Sequence, residues 1–168
     1  MLKTGTKSKQ NPKTESIMPT ANPLTMYVPI YQTDEAQATA QAAYQNFNNK
    51  LTKAALDKLA IVHYARIALV PNTDGKGIAG ILVITEFDGN MNSYLKTFYD
   101  NSPTIKAAFI GVISLWANKP KDFPTDPKDI TFTIFSNFIN ERNVSQVKDL
   151  YAAYPQSVKQ IVAKFSKK

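Results

Sequence analysis

The 168-residue chain has no cysteine and a single histidine, His63. Without thiols there are no disulfides, thiolate nucleophiles, cysteine-bound zinc ions or iron–sulfur clusters. One histidine is also poor material for a metal site, which normally draws on several ligands. Long hydrophobic runs are missing: none reaches the roughly 18 to 20 residues that span a bilayer. The basic N-terminus, "MLKTGTKSKQNPKTESIMPTANPLT", lacks the apolar stretch of a secretory signal. A cytoplasmic protein with no membrane partner and no metal is the resulting expectation.

What is present in excess is positive charge, a net +7, and its position matters. Lys3, Lys7, Lys9 and Lys13 stand against Glu15 at one end, and Lys159, Lys164, Lys167 and Lys168 close the other. The body between them carries twelve basic and twelve acidic residues. Basic ends on a neutral body suit solubility, or weak salt-sensitive contact with polyanions, better than a dedicated nucleic-acid face. Residues 1–22 have little to bury and are expected to form a disordered basic tail, with Met18 a possible true start; residues 23–168 then make one domain.

Hydrophobic periodicity orders the body. "TMYVPIY" (25–31) alternates as a strand, and Pro29 suggests an edge or an end. Thr33 can cap a helix whose apolar face runs through Ala36, Ala40, Ala43, Tyr44, Phe47 and Leu51. A second short helix through Leu56 and Leu59 is expected to follow. "AIVHYARIALV" and "GILVITEFD" flank the turn-rich "PNTDGKGIAG" as a hairpin. "MNSYLKTFYD" and "TIKAAFIGVISLW" read as helix broken near Pro103, with Asn90 or Asp88 as cap. A proline-spaced loop leads to "ITFTIFSNFI", read as an alternating strand, and the remainder reads as helix with a capping box at Asn143 and Gln146. The order β-α-β-β-α-β plus an extra C-terminal helix predicts an α+β, ferredoxin-like split βαβ: a four-stranded antiparallel sheet with helices on one face.

Period-two alternation sorts the strand residues into two faces. Ile61, His63, Ala65, Ile67 and Leu69 join Ile81, Val83, Thr85 and Phe87 in an apolar set that should meet the helices. Tyr64, Arg66, Glu86 and Phe135 fall on the other face, as a candidate ligand-binding set. There a hairpin centred near Lys76 would place Arg66 opposite Glu86, either as a cross-strand ion pair or as an arginine that meets an anionic ligand. His63 reads as a core residue, a haem ligand or a general base. Asp88 reads as a helix cap beside Gly89, or as a catalytic acid. "NTDGKG" lacks the phosphate-loop pattern and reads as a turn.

"HYARIALV", "ILVITEFDGNMNSYLKTFYD" and "FINERNVSQVKDLYAAYPQSVKQIV" resemble an uncharacterised bacterial family of ferredoxin-like, dimeric α/β-barrel-type proteins. That family has a histidine-aromatic-Ala-Arg strand, here His63 to Arg66. A strand ending in aromatic-Asp-Gly follows, here Phe87 to Gly89, and then a Tyr-Leu helix start, here Tyr94 and Leu95. The resemblance implies a dimeric barrel, and a loose relation to the halves of dye-decolourising peroxidases. It thereby implies possible haem, with His63 or Asp88 engaged.

Three function classes follow. The first is a domain binding a small anionic or aromatic molecule, with its open sheet face as pocket or homodimer interface. The second is a haem-dependent, peroxidase-like enzyme. The third is single-stranded nucleic-acid binding, which the aliphatic strand "GILVITEF" disfavours because recognition sheets carry aromatics there.

Overall fold

The computed structural model describes residues 21–166. The expected tail and the Met18 start therefore lie almost wholly outside the described residues. Strand β1 (Ala21–Pro29) already begins at Ala21, which is buried. Then come α1 (Asp34–Asn46), α2 (Lys50–Leu59), the β2 (Val62–Pro71) and β3 (Ile78–Asp88) hairpin, α3 (Met91–Asn101), α4 (Pro103–Ser114), α5 (Phe132–Arg142) and α6 (Val158–Phe165). None of these helices is long and apolar enough to cross a membrane.

Local chemistry explains most of the boundaries. Thr33 caps α1 by accepting from the Ala36 amide, and Asn49 caps α2 by accepting from Thr52. Ala60 ends α2 in the left-handed conformation. Gly89, at φ 82°, turns β3 into α3, and Asn90 caps α3 through the Ser93 amide. Pro103 occupies the first turn of α4, where its missing N–H costs nothing.

Among the described residues the sheet has three antiparallel strands in the order β1-β3-β2 and is open. Three corrections follow. The four-stranded ferredoxin-like sheet is not formed, the barrel-type closure that the family resemblance implied is absent, and with them the resemblance itself falls. The cause lies in residues 130–142. "ITFTIFSNFI" satisfies period two, but Phe135, Phe138 and Ile139 also recur at helical spacing, and Thr131 accepts from the Ile134 amide as a helix cap. The segment folds as α5 and buries that stripe. The outer edge of β1 is closed by two isolated bridges, Met26 with Asn143 and Ile30 with Trp116.

The helices cover one sheet face. Leu24, Met26 and Val28 of β1 and Ile81, Val83 and Phe87 of β3 are buried there against Leu95, Phe98, Phe109, Ile113 and Phe135. Tyr94 stacks on Phe87 at 3.8 Å between ring centres and donates its hydroxyl to Thr85 Oγ1 at 2.8 Å. That bond satisfies two buried polar atoms at once.

The opposite face, carrying Tyr27, Tyr64, Arg66, Leu82, Ile84 and Glu86, has no helical layer among the described residues. Gly80 sits beneath the Tyr27 ring: a Cβ there would come within 2.5 Å of Tyr27 Cε2 and 2.6 Å of the Val28 carbonyl oxygen. The outer edge of β2 is open as well. Ile30 donates to the Ala79 carbonyl, so odd-numbered residues of β3 turn their backbone to β1 and even-numbered ones to β2. In the paired register, Ala65, Ile67 and Leu69 then point their N–H and C=O groups away from the sheet. No hydrogen bond among the described residues reaches them.

Candidate functional site

The site is built where the hairpin meets the C-terminal chain. Opposite Phe87 and Glu86 the β2 register slips between Val62 and Tyr64, leaving His63 in a bulge. On the turn side of that bulge the hairpin is centred on residue 75, so Tyr64 pairs with Glu86, and Arg66 with Ile84. The direct Arg66–Glu86 pairing expected from a turn centred on Lys76 is not formed. The two are diagonal neighbours on the open face, and no ion pair joins them among the described residues.

His63 does not act as an inert core residue. Its Nε2 lies 2.9 Å from Asp88 Oδ1, with the two side chains only 11% and 15% exposed. A carboxylate can only accept, so the shared proton sits on Nε2. Asp88 Oδ2 accepts from the Val158 amide at 2.8 Å. The expected cap of α3 thus serves another helix, seventy residues on, as an acid at the first turn of α6. Ser157 and Gln160 complete that turn with a capping box, while the box expected at Asn143 and Gln146 forms instead between Gln146 and Asp149. Asn143 accepts from Thr25 and Ser145, which ties the chain to the edge of β1.

From there the chain runs in irregular form past the end of the sheet. Between the strap at 150–154 and the strand ends lies a cleft of about 470 Å³, lined by His63, Tyr64, Glu86, Leu150, Tyr151 and Tyr154, among others. Tyr64, Tyr151 and Tyr154 are 76%, 89% and 73% exposed, so their rings are presented to whatever enters. Burial raises the pKa of Glu86 above the ordinary carboxylate value, an effect the charges of Arg66 and then His63 oppose. A second hollow of about 660 Å³ lies on the other side of Tyr64, between α2 and α6.

Of the residues expected to form the site, Tyr64 and Glu86 line the cleft with His63, and Asp88 braces it from behind. Arg66 is exposed farther along the same face. Phe135 is not part of it: it is fully buried in α5 between Tyr99 and Phe109. Tyr151 and Tyr154 were missed because their segment was read as the core-facing stripe of a helix. The one available signal was Pro155 after two tyrosines and two alanines, a pattern that suits a strap as well as a broken helix. Among the described residues no group of three histidine, aspartate or glutamate side chains is placed to hold a metal ion. Compared with known proteins, the chain matches no family model, no curated protein and no solved structure.

Proposed function

We propose that this domain binds a small molecule in the cleft between the open sheet face and the 150–154 strap. The observation that carries this reading is the convergence of Tyr64, Tyr151 and Tyr154 on a half-buried carboxylate, Glu86, around about 470 Å³ of space. That volume falls in the range of small-molecule pockets, and apolar rings with one oriented polar group are their usual lining. The rings favour a ligand that packs against aromatic faces over an anionic one, because Arg66 does not line the cleft.

A haem-dependent reaction is less well supported. The His63–Asp88 bond leaves only Nδ1 for an iron, and both Asp88 oxygens are engaged, so Asp88 has no oxygen left over as a distal acid. Haem titration of the purified protein with no Soret band removes that alternative. Fragment screening by amide NMR shifts tests the proposal. Hits are expected to perturb residues 63–64, 86 and 150–154 and to lose affinity at least tenfold in Tyr64→Ala. Hits that map elsewhere, or none at all, overturn it.

A homodimer is a second reading, supported by a different observation. The unpaired backbone of Ala65, Ile67 and Leu69 is a template for another strand, and a second copy of β2 would extend the sheet across the contact. Light scattering that shows a monomer at high concentration removes it.

A further inference from the structure

We infer that the ligand of the strap cleft is a cation of the substituted-ammonium class, held against the faces of Tyr64, Tyr151 and Tyr154 and neutralised by Glu86. The inference rests on the proposed binding role of the cleft and adds the charge and shape of its occupant.

The lining chemistry is one-sided. Among the described residues lining the cleft, Glu86 is the only carboxylate, and no lysine or arginine joins it. The remaining lining is tyrosine, alanine, leucine and isoleucine, apart from His63. His63 also lines the cleft, its Nε2 hydrogen-bonded to the Asp88 carboxylate. An anion entering would meet ring faces, which carry negative potential, and a like-charged carboxylate. A cation would meet attraction from both.

Tyrosine rings around a cation are the arrangement by which proteins recognise quaternary and methylated ammonium groups. A strongly hydrated primary ammonium loses more water on entry and gains less from rings, so bulky alkylated ammonium groups fit best. Their positive charge is spread over a surface that packs against an aromatic face. Arg66, diagonal to Glu86 on the outer face, favours the ionised carboxylate while lying outside the lining. The strap brings two of the three rings, and its two ends are fastened by separate bonds, Val144 N–H to the Thr25 carbonyl and Val158 N–H to Asp88. Tyr151 and Tyr154 thus line the same cleft as Tyr64.

The test compares choline with its neutral isostere 3,3-dimethyl-1-butanol by NMR titration of the full chain. Choline is expected to shift the amides of Tyr64, Glu86 and residues 150–154 saturably, and the alcohol to bind at least tenfold more weakly. Glu86→Gln should weaken choline at least tenfold and leave the alcohol unchanged. Tyr154→Ala, at an exposed position where folding is not at stake, should weaken choline as well. Equal binding of the two probes, or choline binding indifferent to Glu86→Gln, overturns the inference. If choline fails to bind while neutral fragments occupy the cleft, the cation is wrong and the binding role stands. If fragments fail too, both fall.

Discussion

Asp88 joins two parts of the chain that the sequence keeps far apart: one oxygen holds His63 Nε2 at 2.9 Å and the other holds the Val158 amide at 2.8 Å. Removing the carboxylate leaves a nearly buried ring N–H and a helix-terminal N–H without partners. Asp88→Ala is expected to cost about 1–3 kcal/mol in chemical denaturation. It should also raise amide exchange across 158–165 ahead of the sheet. Asp88→Asn, whose oxygen can still accept one of the two bonds, should cost less. Equal exchange in α6 and in β3 would show that the carboxylate does not hold the helix.

Glu86 should leave a signature in the pH dependence of stability. Burial lifts its folded pKa above the ordinary 4.5, so the folded chain binds that proton more tightly than the unfolded chain does. Its contribution is fully present below the unfolded value and is lost as pH rises through the folded one. Relative to Glu86→Gln, the wild type should therefore lose urea resistance as pH rises above the ordinary carboxylate range. A constant difference between the two proteins over that rise contradicts the assignment.

Tyr94 and Thr85 form a buried pair whose two groups depend on each other. Tyr94→Phe should destabilise by about 1–2 kcal/mol, since Thr85 Oγ1 loses its donor. Adding Thr85→Val to that variant should recover part of the loss, because the second orphan goes with the first. Denaturation midpoints of the two single variants and the double variant measure the coupling. Strict additivity would argue against the bond.

Two glycines should respond in opposite directions to the same methyl group. Gly111, in α4, has open space where a Cβ would stand, so Gly111→Ala should stabilise by about 0.5–1 kcal/mol. At Gly80 the same atom would meet the Val28 carbonyl and the Tyr27 ring, and Gly80→Ala should lose about 1–3 kcal/mol. Thermal melts of both variants decide it.

Phe135 and Tyr64 separate stability from binding. Phe135→Ala should cost about 3–5 kcal/mol, since it empties a fully enclosed site between Tyr99 and Phe109. Tyr64→Ala should change stability little and remove ligand shifts in the cleft. The reverse outcome would return Phe135 to the binding face.

Much of this arrangement was legible in the residues. Thr33, Asn90 and Pro103 marked real helix starts, and the alternation of Ile81, Val83, Thr85 and Phe87 correctly chose the covered face. The failure at 130–142 is physical: a short apolar run with phenylalanine at several spacings fits both periods, and only the surrounding pack chooses between them. His63 has a partner that strand counting does not show. Strand alternation puts it on the inner face, but the bulge beside it and a carboxylate from the neighbouring strand give it a polar partner. A bulge is invisible to period counting, and so is a helix that arrives from residue 158. The hairpin register, centred on residue 75 and not on Lys76, moved Glu86 from Arg66 to Tyr64 and so changed the character of the cleft.

The strand order carries a consequence for how the chain comes into being. β1 lies at the edge and pairs with β3, not with β2, so during synthesis it emerges with Leu24, Met26 and Val28 unprotected until residues 78–88 have been made. Its other side waits longer still, for Trp116 and Asn143. A nascent chain halted after α2 holds a sticky strand with no place to dock, and chaperone capture should peak at that length and fall once the hairpin has left the ribosome.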